Sequence, residues 1–486
     1  MSSNILEFVF NNKIIRIKNP DPNETVLNYV RLNLKKTGTK EGCAEGGCGA
    51  CTIVLGEIKD NNIVYKSINS CIAFLPALNG KQLILIENLS SENGKLHPVQ
   101  NAMVNFHGSQ CGFCTPGFVM SMFAMFKNNK SINNELINDS LSGNLCRCTG
   151  YRPIIDAAKS LNHLSRYDHF NKNKFITLKL LKKITKKNIE ITNDYKKYYA
   201  PKTIKDLKKI LKKVKDAKFL SGGTDLSLEV TKKRKELKKI IYLGSIDELN
   251  FIKINKNEIN IGATTSLINF EKQIKKYYLD FYNILKRYGS VQIRNVGTIA
   301  GNIATASPIG DTLPLLMALD AKIVIDGNNR KRTISINDFF IGYRKTKLKN
   351  GEFIYSIKIP IFKHNIFKAY KISKRFDDDI SSVCGSFNLQ INNNHIKGVK
   401  IAFGGMSEVP KRAIKTEKIL INSKFSHEIF DRAIKNLKKD FSPIDDMRAS
   451  KQYRLEIAKN LLLKCYFEIK NRKLLRINQW VITIII

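Results

Sequence analysis

Ten cysteines have the clearest chemistry in this 486-residue chain, and eight of them lie between positions 43 and 148. The first group is Cys43, Cys48 and Cys51, with four residues between the first two and two between the last two, followed by Cys71. Four thiolates at this spacing are typical of a 2Fe–2S cluster, because a glycine-rich loop can wrap closely around two irons. Zinc is the alternative, but zinc sites favour two separated cysteine pairs.

The second group consists of two short pairs with a long insert between them. Cys111 and Cys114 form the first pair, Cys146 and Cys148 form the second, and 31 residues lie between the pairs. Many zinc sites have this arrangement. A single residue between Cys146 and Cys148 is tight for a tetrahedral zinc knuckle, and the flanks are helical in pattern. Spacing alone leaves both zinc and a second 2Fe–2S cluster open.

The composition is strongly basic, with a formal net charge of +40 from 82 Lys and Arg against 42 Asp and Glu. Such a charge suggests an anionic partner, for example a nucleic acid. However, only 18 of the basic residues are Arg, the side chain that base and phosphate recognition prefers, and residues 1–165 have a net charge of only +4. We therefore expect no nucleic-acid partner. The alternative to an enzyme is a basic, zinc-containing nucleic-acid binder.

Neither end of the sequence resembles an export or membrane signal. The start, MSSNILEFVF, lacks a basic segment followed by a long apolar run, and the apolar stretch 481–486 is far below the ~20 residues that a spanning helix needs. We expect a soluble cytoplasmic protein with no membrane partner. In a reducing compartment, clustered cysteines favour metal over disulfides. Cys384 and Cys465 match no ligand spacing and are expected to be small buried apolar residues.

The elements that must position the cysteines follow from the hydrophobic pattern. The first ninety residues indicate a small α+β domain, in which Asn11 and Asn12 can form the tight turn of a hairpin. A helical texture follows, with Thr115 as a possible helix cap. The predicted strands are Ile5–Phe10, Ile14–Lys18, Thr52–Leu55, Val64–Ser67 and Leu83–Glu87, and the predicted helices are Thr25–Leu34, Pro98–His107, Pro116–Phe126 and Pro153–Leu161.

Residues 166–197 are rich in Lys and Asn without Gly or Pro, and we interpret them as a surface linker. Beyond them, strands and helices mix in an α+β pattern. The predicted strands are Ala217–Leu220, Lys239–Leu243, Glu258–Ile261, Ser386–Ile391 and Val399–Phe403, and the predicted helices are Leu207–Val214, Ile429–Leu437 and Arg454–Phe467.

Two glycine-rich stretches in this second half could bind an anion. One is FLSGGTDL at Phe219–Leu226, where a glycine pair flanked by Ser and Thr offers amides and hydroxyls to a pyrophosphate. Ser-Gly-Gly also makes ordinary turns, and the G-x-G-x-x-G fingerprint is absent, which disfavours a Rossmann domain. The other stretch is Gln292–Asn302, followed by Ala306–Asp311.

Longer motifs around the second cysteine group resemble the molybdenum hydroxylases, the family of xanthine dehydrogenase, aldehyde oxidase and carbon monoxide dehydrogenase. These motifs are QCGFCTPG at Gln110–Gly117 and NLCRCTGYRP at Asn144–Pro153, and they follow the first group in the family's order. The resemblance implies a β-grasp ferredoxin domain with a plant-type 2Fe–2S cluster and a four-helix domain with a second 2Fe–2S cluster. The implied ligands are Cys43, Cys48, Cys51 and Cys71 for the first cluster, and Cys111, Cys114, Cys146 and Cys148 for the second.

The two glycine-rich stretches resemble the FAD-binding domain of the same family, which has a vanillyl-alcohol-oxidase-type fold and is followed by an α+β C-terminal flavoprotein domain. The acidic loop Asp377–Asp379 would then lie by the flavin face, although from the residues alone a solvated acidic turn is the simpler interpretation. The implied domains are 1–90 and 91–165 for the clusters, 166–197 as linker, 198–363 for FAD and 364–475 at the C-terminal end. The implied FAD contacts are Phe219, Leu220, Ser221, Gly222, Gly223, Thr224, Asp225, Leu226, Tyr288, Thr298, Ile299, Ala300, Gly301, Asn302, Asp311, Ile354 and Lys371.

An iron–sulfur segment joined to an FAD segment, without a molybdopterin domain, resembles the small subunit of bacterial xanthine dehydrogenases. The resemblance implies a hetero-oligomer with a large molybdopterin-binding subunit that converts hypoxanthine to xanthine and xanthine to urate. Electrons would pass through the Cys111 cluster and the Cys43 cluster to FAD and then to NAD, with no substrate-converting residue in this chain. The enzyme alternative is the equivalent subunit of an aldehyde or N-heterocycle oxidoreductase. No role is implied for the tail 477–486.

Overall fold

A computed structural model describes residues 2–91, 93–184, 187–328 and 330–471, so the tail 477–486 lies outside the described residues. The chain divides into two compact units. The first contains the described residues up to Glu248, together with Ser266–Ile268 and Gly289–Thr298. The second contains Leu249–Thr265, Asn269–Tyr288 and the described residues from Ile299 onward.

The first unit begins with a five-stranded mixed sheet. Its hairpin turns at Asn11 and Asn12, whose φ angles of 47° and 55° confirm the predicted tight turn. The Thr25 hydroxyl caps the helix Val26–Asn28, which continues as a π-helical turn over Tyr29–Asn33 and covers the sheet. From edge to edge the strands are Lys13–Lys18, Ile5–Phe10, Gln82–Ile84, Thr52–Lys59 and Asn62–Asn69.

Four helices follow the sheet, and the second of them is buried along most of its length. Thr115 lies inside this helix and its hydroxyl contacts Ser109, so the prediction that Thr115 caps the helix was wrong; Cys114 precedes it instead. The third helix was not predicted, because its apolar face is only Ile137 and Leu141. The four helices are Pro98–Asn105, Thr115–Asn128, Asn134–Leu141 and Arg152–Ser160.

The stretch predicted as a surface linker contains regular structure. Leu181, Ile184, Ile189 and Ile191 are buried there, because their side chains pack inward between exposed lysines. Abundant Lys and Asn hid this sparse apolar pattern. The helices of the stretch are His169–Lys172 and Lys174–Lys183, and its strands Ile189–Asn193 and Lys196–Ala200 begin a four-stranded sheet that continues with Lys239–Tyr242 and Lys218–Leu220.

The first unit also contains short 3-10 helices at Ser70–Ile72, Leu75–Leu78, Ile86–Asn88 and Leu161–His163, and three further α-helices. These α-helices are Ile204–Lys213, Leu228–Thr231 and Val291–Arg294. The helix Leu267–Ile274 begins with residues of the first unit and continues in the second.

The second unit combines two larger sheets with a hairpin, Phe340–Gly342 and Lys345–Thr346. One sheet has the order Ile252–Ile254, Glu258–Gly262, Phe353–Pro360, Lys322–Asp326 and Arg332–Ser335. The other has the order Ile366–Ile372, Val383–Asn392, His395–Gly404 and Lys411–Arg412. The helices are Leu279–Lys286, Ile299–Thr305, Thr312–Ala318, Ile414–Leu420, His427–Asn436 and Lys451–Asn471.

None of the helices in the described ranges is long and apolar enough to cross a membrane.

Candidate cofactor sites

The first cysteine group is brought together at one end of the first sheet. Cys43, Cys48 and Cys51 lie in the loop that leads into the strand Thr52–Lys59, and Cys71 follows the neighbouring strand. The Cys43 thiol contacts those of Cys48 and Cys71, and the Sγ atoms of Cys51 and Cys71 are 3.3 Å apart. The four thiols therefore form one connected group, and none of them is in a disulfide.

Backbone amides of the same loop point at the Cys43 sulfur. The N–H groups of Glu45 and Gly47 donate to its Sγ at 3.4 and 3.3 Å. Contacts with Cys48 and Cys71, together with these amides, lower the pKa of the Cys43 thiol. A sulfur ligand must be deprotonated to bind metal, and at Cys43 these contacts favour the deprotonated thiolate.

Two glycines let the loop wrap closely around the thiols. A Cβ on Gly42 would lie 2.8 Å from the Cys48 Sγ. Gly46 has a φ of +77°, and a Cβ there would lie 2.6 Å from the Ile72 side chain. This cradle and its four sulfur donors fit a 2Fe–2S cluster. The four thiols touch one another. In the described ranges, no group of three or more His, Cys, Asp or Glu side chains is spaced to hold a metal ion.

The second cysteine group is built by two loops of the helical part. The Sγ atoms of Cys111 and Cys148 are 3.4 Å apart, and the thiols of Cys114 and Cys146 contact each other. Burial raises the pKa of the Cys114 thiol to about 12. Cys111 and Cys148 are exposed, whereas the other two are partly buried. The structure thus brings all four predicted ligands of this group into two touching pairs.

Part of the predicted flavin site lies in the first unit. Residues 219–226 leave the strand Lys218–Leu220 as an irregular loop. A Cβ on Gly222 would lie 2.0 Å from the Val296 carbonyl oxygen, so this loop packs directly on the backbone of the second glycine-rich stretch. Thr298, within that stretch, forms an isolated β-bridge with Ser266. The two stretches that the sequence singled out therefore meet within this unit.

The other predicted flavin residues lie in the second unit, where side-chain hydrogen bonds connect two pairs of them. The Asn302 side-chain amide donates to the Tyr288 hydroxyl at 2.9 Å. The Lys371 ammonium donates to the Asp311 carboxylate at 2.7 Å, and both side chains are buried. Residues 299–302 form the start of the helix Ile299–Thr305. Ile354 is a buried residue of the strand Phe353–Pro360, and no described contact links it to the others.

Comparison with known families gives four matches, in the same order along the chain as the elements described above. Their descriptions are "2Fe-2S iron-sulfur cluster binding domain" for residues 9–75, "[2Fe-2S] binding domain" for 85–159, "FAD binding domain in molybdopterin dehydrogenase" for 190–362 and "CO dehydrogenase flavoprotein C-terminal domain" for 368–469.

Curated relatives are xanthine dehydrogenases. The chain is 33% identical to xanthine dehydrogenase 1 of Arabidopsis thaliana, over 91% of this chain and 38% of that protein. It is 31% identical to xanthine dehydrogenase of Blastobotrys adeninivorans, over 96% of this chain and 40% of that protein. The chain belongs to the molybdenum hydroxylase family. It spans about two fifths of the length of these relatives.

Two solved structures share the fold of somewhat more than half of this chain. Carbon monoxide dehydrogenase from Hydrogenophaga pseudoflava, in a form lacking the Mo-pyranopterin moiety of its cofactor, is 25% identical with a TM-score of 0.53, over 56% of this chain and 96% of that chain. Quinoline 2-oxidoreductase from Pseudomonas putida 86 is 22% identical with a TM-score of 0.52, over 57% of this chain and 96% of that chain.

These matches confirm the predicted cofactors, two 2Fe–2S clusters and FAD, and the predicted mixed α+β fold with cluster-binding, FAD-binding and C-terminal flavoprotein domains. The choice between zinc and a second cluster for the Cys111 group is resolved in favour of the cluster. This chain is the iron–sulfur and FAD electron-transfer part of a molybdenum hydroxylase. The assignment of individual ligands and FAD contacts stays a prediction.

Sequence reasoning missed residues that hold the predicted flavin contacts in place. The Ser381 hydroxyl donates to Asp311, and the Thr312 hydroxyl donates to the Asn302 carbonyl oxygen. Neither lies in a glycine-rich motif, so no sequence signal marked them. Asp379 of the acidic loop accepts hydrogen bonds from the backbone amides of Arg375 and Ile380, within its own turn, and the position of this loop by the flavin stays a prediction.

We expect the substitution Lys371→Met in this molybdenum hydroxylase to lower both stability and flavin content. It leaves the buried Asp311 carboxylate without its cation, which costs about 3–5 kcal/mol. Thermal melting and the flavin-to-protein absorbance ratio measure the two effects. The matched control is Lys358→Met, which breaks a half-exposed pair with Glu258 worth about 0–1 kcal/mol. Equal losses in the two variants would contradict the prediction.

Proposed function

We propose that this chain is the electron-transfer part of a xanthine dehydrogenase. A partner or segment that binds molybdopterin would oxidise hypoxanthine to xanthine and xanthine to urate. This chain would take up the electrons, pass them through its two 2Fe–2S clusters to FAD and deliver them to NAD. Clusters carry single electrons and NAD takes a hydride, so a flavin is the cofactor that converts one into the other.

The observation that carries this proposal is the extent of the similarity to xanthine dehydrogenases. It covers 91% of the chain at 33% identity, including the cluster-binding and the flavin domains in one order. The likeness to carbon monoxide dehydrogenase and quinoline 2-oxidoreductase covers 56–57% of the chain, and at 22% identity the latter supports the fold alone. A purine-oxidising complex is therefore the best-supported setting for this chain.

The burial of the two cysteine groups supports the order of electron flow. Cys111 and Cys148 of the second group are exposed, so an electron from outside the chain can reach that cluster directly. Cys51 and Cys71 of the first group are buried, so that cluster is better placed as an internal relay. The proposed order is thus the Cys111 cluster, then the Cys43 cluster, then FAD.

The proposal is tested by isolating the native complex and assaying it with a panel of substrates. We expect a molybdopterin-binding partner by mass spectrometry, and turnover of hypoxanthine and xanthine that is faster with NAD than with oxygen as acceptor. Turnover of aldehydes or of quinoline-type heterocycles, with none of xanthine, would favour the alternative of an aldehyde or N-heterocycle oxidoreductase. Absence of any molybdopterin-binding partner would contradict both.

A further inference from the structure

We propose that Gln292 is a positioning residue that fixes the spacing of the two cluster loops and thereby the rate of electron transfer between the clusters. This inference rests on the proposed ligand assignment. The sequence places Gln292 in a stretch that resembles the flavin domain, and the matched FAD-binding family also includes it. In the structure, however, the segment Gly289–Thr298 belongs to the first compact unit, with both cysteine groups.

The two cysteine loops are in direct backbone contact. The Leu145 N–H, next to Cys146, donates to the Cys48 carbonyl oxygen at 3.0 Å. One hydrogen bond therefore connects a proposed ligand residue of the first cluster to the neighbour of a proposed ligand of the second. The transfer along this path moves one electron from a reduced cluster to an oxidised one, and no bond is made or broken.

Glycines make this close approach of the loops sterically feasible. Gly49 lies in the first cysteine loop with a φ of +72°, and a Cβ there would lie 2.2 Å from the Gly143 carbonyl oxygen. A Cβ on Gly117, just after Cys114, would lie 2.3 Å from the Gly49 carbonyl oxygen. Backbone from three cluster-bearing segments thus meets at one point, where any side chain would push the loops apart.

Gln292 closes this junction with a buried amide group. Its side chain is 1% exposed, and its Nε2 lies 3.0 Å from the Ser121 Oγ, 3.1 Å from the Asn144 Oδ1 and 3.3 Å from the Thr52 Oγ1. Asn144 in turn donates to the Gly49 carbonyl oxygen at 3.1 Å. The Gln292 side chain therefore contacts Thr52, which follows Cys51, and Asn144, which lies two residues before Cys146. It also contacts the helix Thr115–Asn128, which follows Cys114.

The same segment offers a matched control in Asn295. This buried amide donates to the Ser67 carbonyl oxygen at 2.8 Å, on the strand Asn62–Asn69, which leads to Cys71 of the first group and carries no ligand of the second. Gln292→Leu and Asn295→Leu each remove one buried amide from the segment, so both should lower the melting temperature. Only the first removes an amide that hydrogen-bonds to residues of both cluster-bearing regions, Thr52 and Asn144.

The experiment uses the full chain with its cofactors. In the dithionite-reduced protein, electron paramagnetic resonance should show two cluster signals split by their mutual magnetic interaction. We expect Gln292→Leu to keep both signals but change the splitting, and Asn295→Leu to leave the splitting as in the unsubstituted chain. We expect Gln292→Leu to slow reduction of the Cys111 cluster by NADH, with flavin reduction unchanged.

Should Gln292→Leu fail to fold, Ser121→Ala removes one of its acceptors and should alter the splitting in the same direction. Splitting and rates that are identical in Gln292→Leu and Asn295→Leu would overturn the inference, and so would two unsplit signals in the unsubstituted chain. A single cluster signal in the unsubstituted chain would instead overturn the ligand assignment, so the two failures are distinguishable. Normal clusters in this chain, together with no turnover of xanthine by the native complex, would contradict only the proposed substrate.

Discussion

Replacing Cys146 with alanine is expected to remove one of the two 2Fe–2S signals and about half of the bound iron. A 2Fe–2S cluster needs four thiolates, and Cys146 contacts Cys114 in the second group. The first group shares no thiol with the second, so its cluster should remain. Iron analysis and low-temperature electron paramagnetic resonance measure the two quantities. Metal binding is coupled to local folding, so the loop around Tyr151 should also become more susceptible to proteolysis.

Cys465→Ala is the matched control for this substitution. Cys465 is a buried cysteine of the second unit, packed among apolar side chains and outside both groups. We expect the control to keep both signals and its full iron content. Loss of iron from the control, or an unchanged pair of signals in Cys146→Ala, would refute the ligand assignment.

The substitution Gly222→Ala is expected to remove most of the bound FAD and leave both clusters in place. A Cβ at this position would lie 2.0 Å from the Val296 carbonyl oxygen and 2.8 Å from the Gly297 nitrogen, so the backbone of one glycine-rich stretch must move. Overpacking of this kind costs about 1–3 kcal/mol and shifts the groups proposed to hold the FAD phosphates. Flavin released by heat, measured by fluorescence per mole of protein, reports the loss.

Gly342→Ala separates this effect from a general cost of replacing glycine. A Cβ on Gly342 would meet only the Lys345 side chain, at 3.9 Å, and its φ is not in the left-handed region. We expect this variant to keep its flavin. If both variants retain equal FAD, the loop at residues 219–226 does not hold the cofactor.

Features that depend on a few neighbouring residues could be predicted from the sequence. The hairpin at Asn11 and Asn12 follows from residues that tolerate a positive φ between two β-prone stretches. Cys43, Cys48 and Cys51 follow from spacing because one continuous loop carries them, whereas the second group could be assigned only with the longer motifs around it. The strands and helices that the pattern predicts lie within a few residues of their observed bounds, whereas other strands, such as Phe353–Pro360 and Ile366–Ile372, were not predicted.

Features that depend on distant packing could not be predicted in this way. Gln292 looks like one polar residue of a flavin motif, and its partner Asn144 lies 148 positions earlier in the chain. The composition around Leu181 and Ile191 predicts a linker, but both side chains are buried. The surfaces that bury them come from other parts of the fold. Composition carries no information about which distant surface a segment will meet.

We propose that this chain conducts electrons between NAD and two clusters through FAD. Anaerobic addition of NADH to the purified chain, without any molybdenum partner, tests it by running the path in reverse. We expect bleaching of the flavin absorbance and the appearance of both 2Fe–2S signals by electron paramagnetic resonance. A sample that dithionite reduces completely, but whose flavin and clusters NADH leaves oxidised, would contradict it.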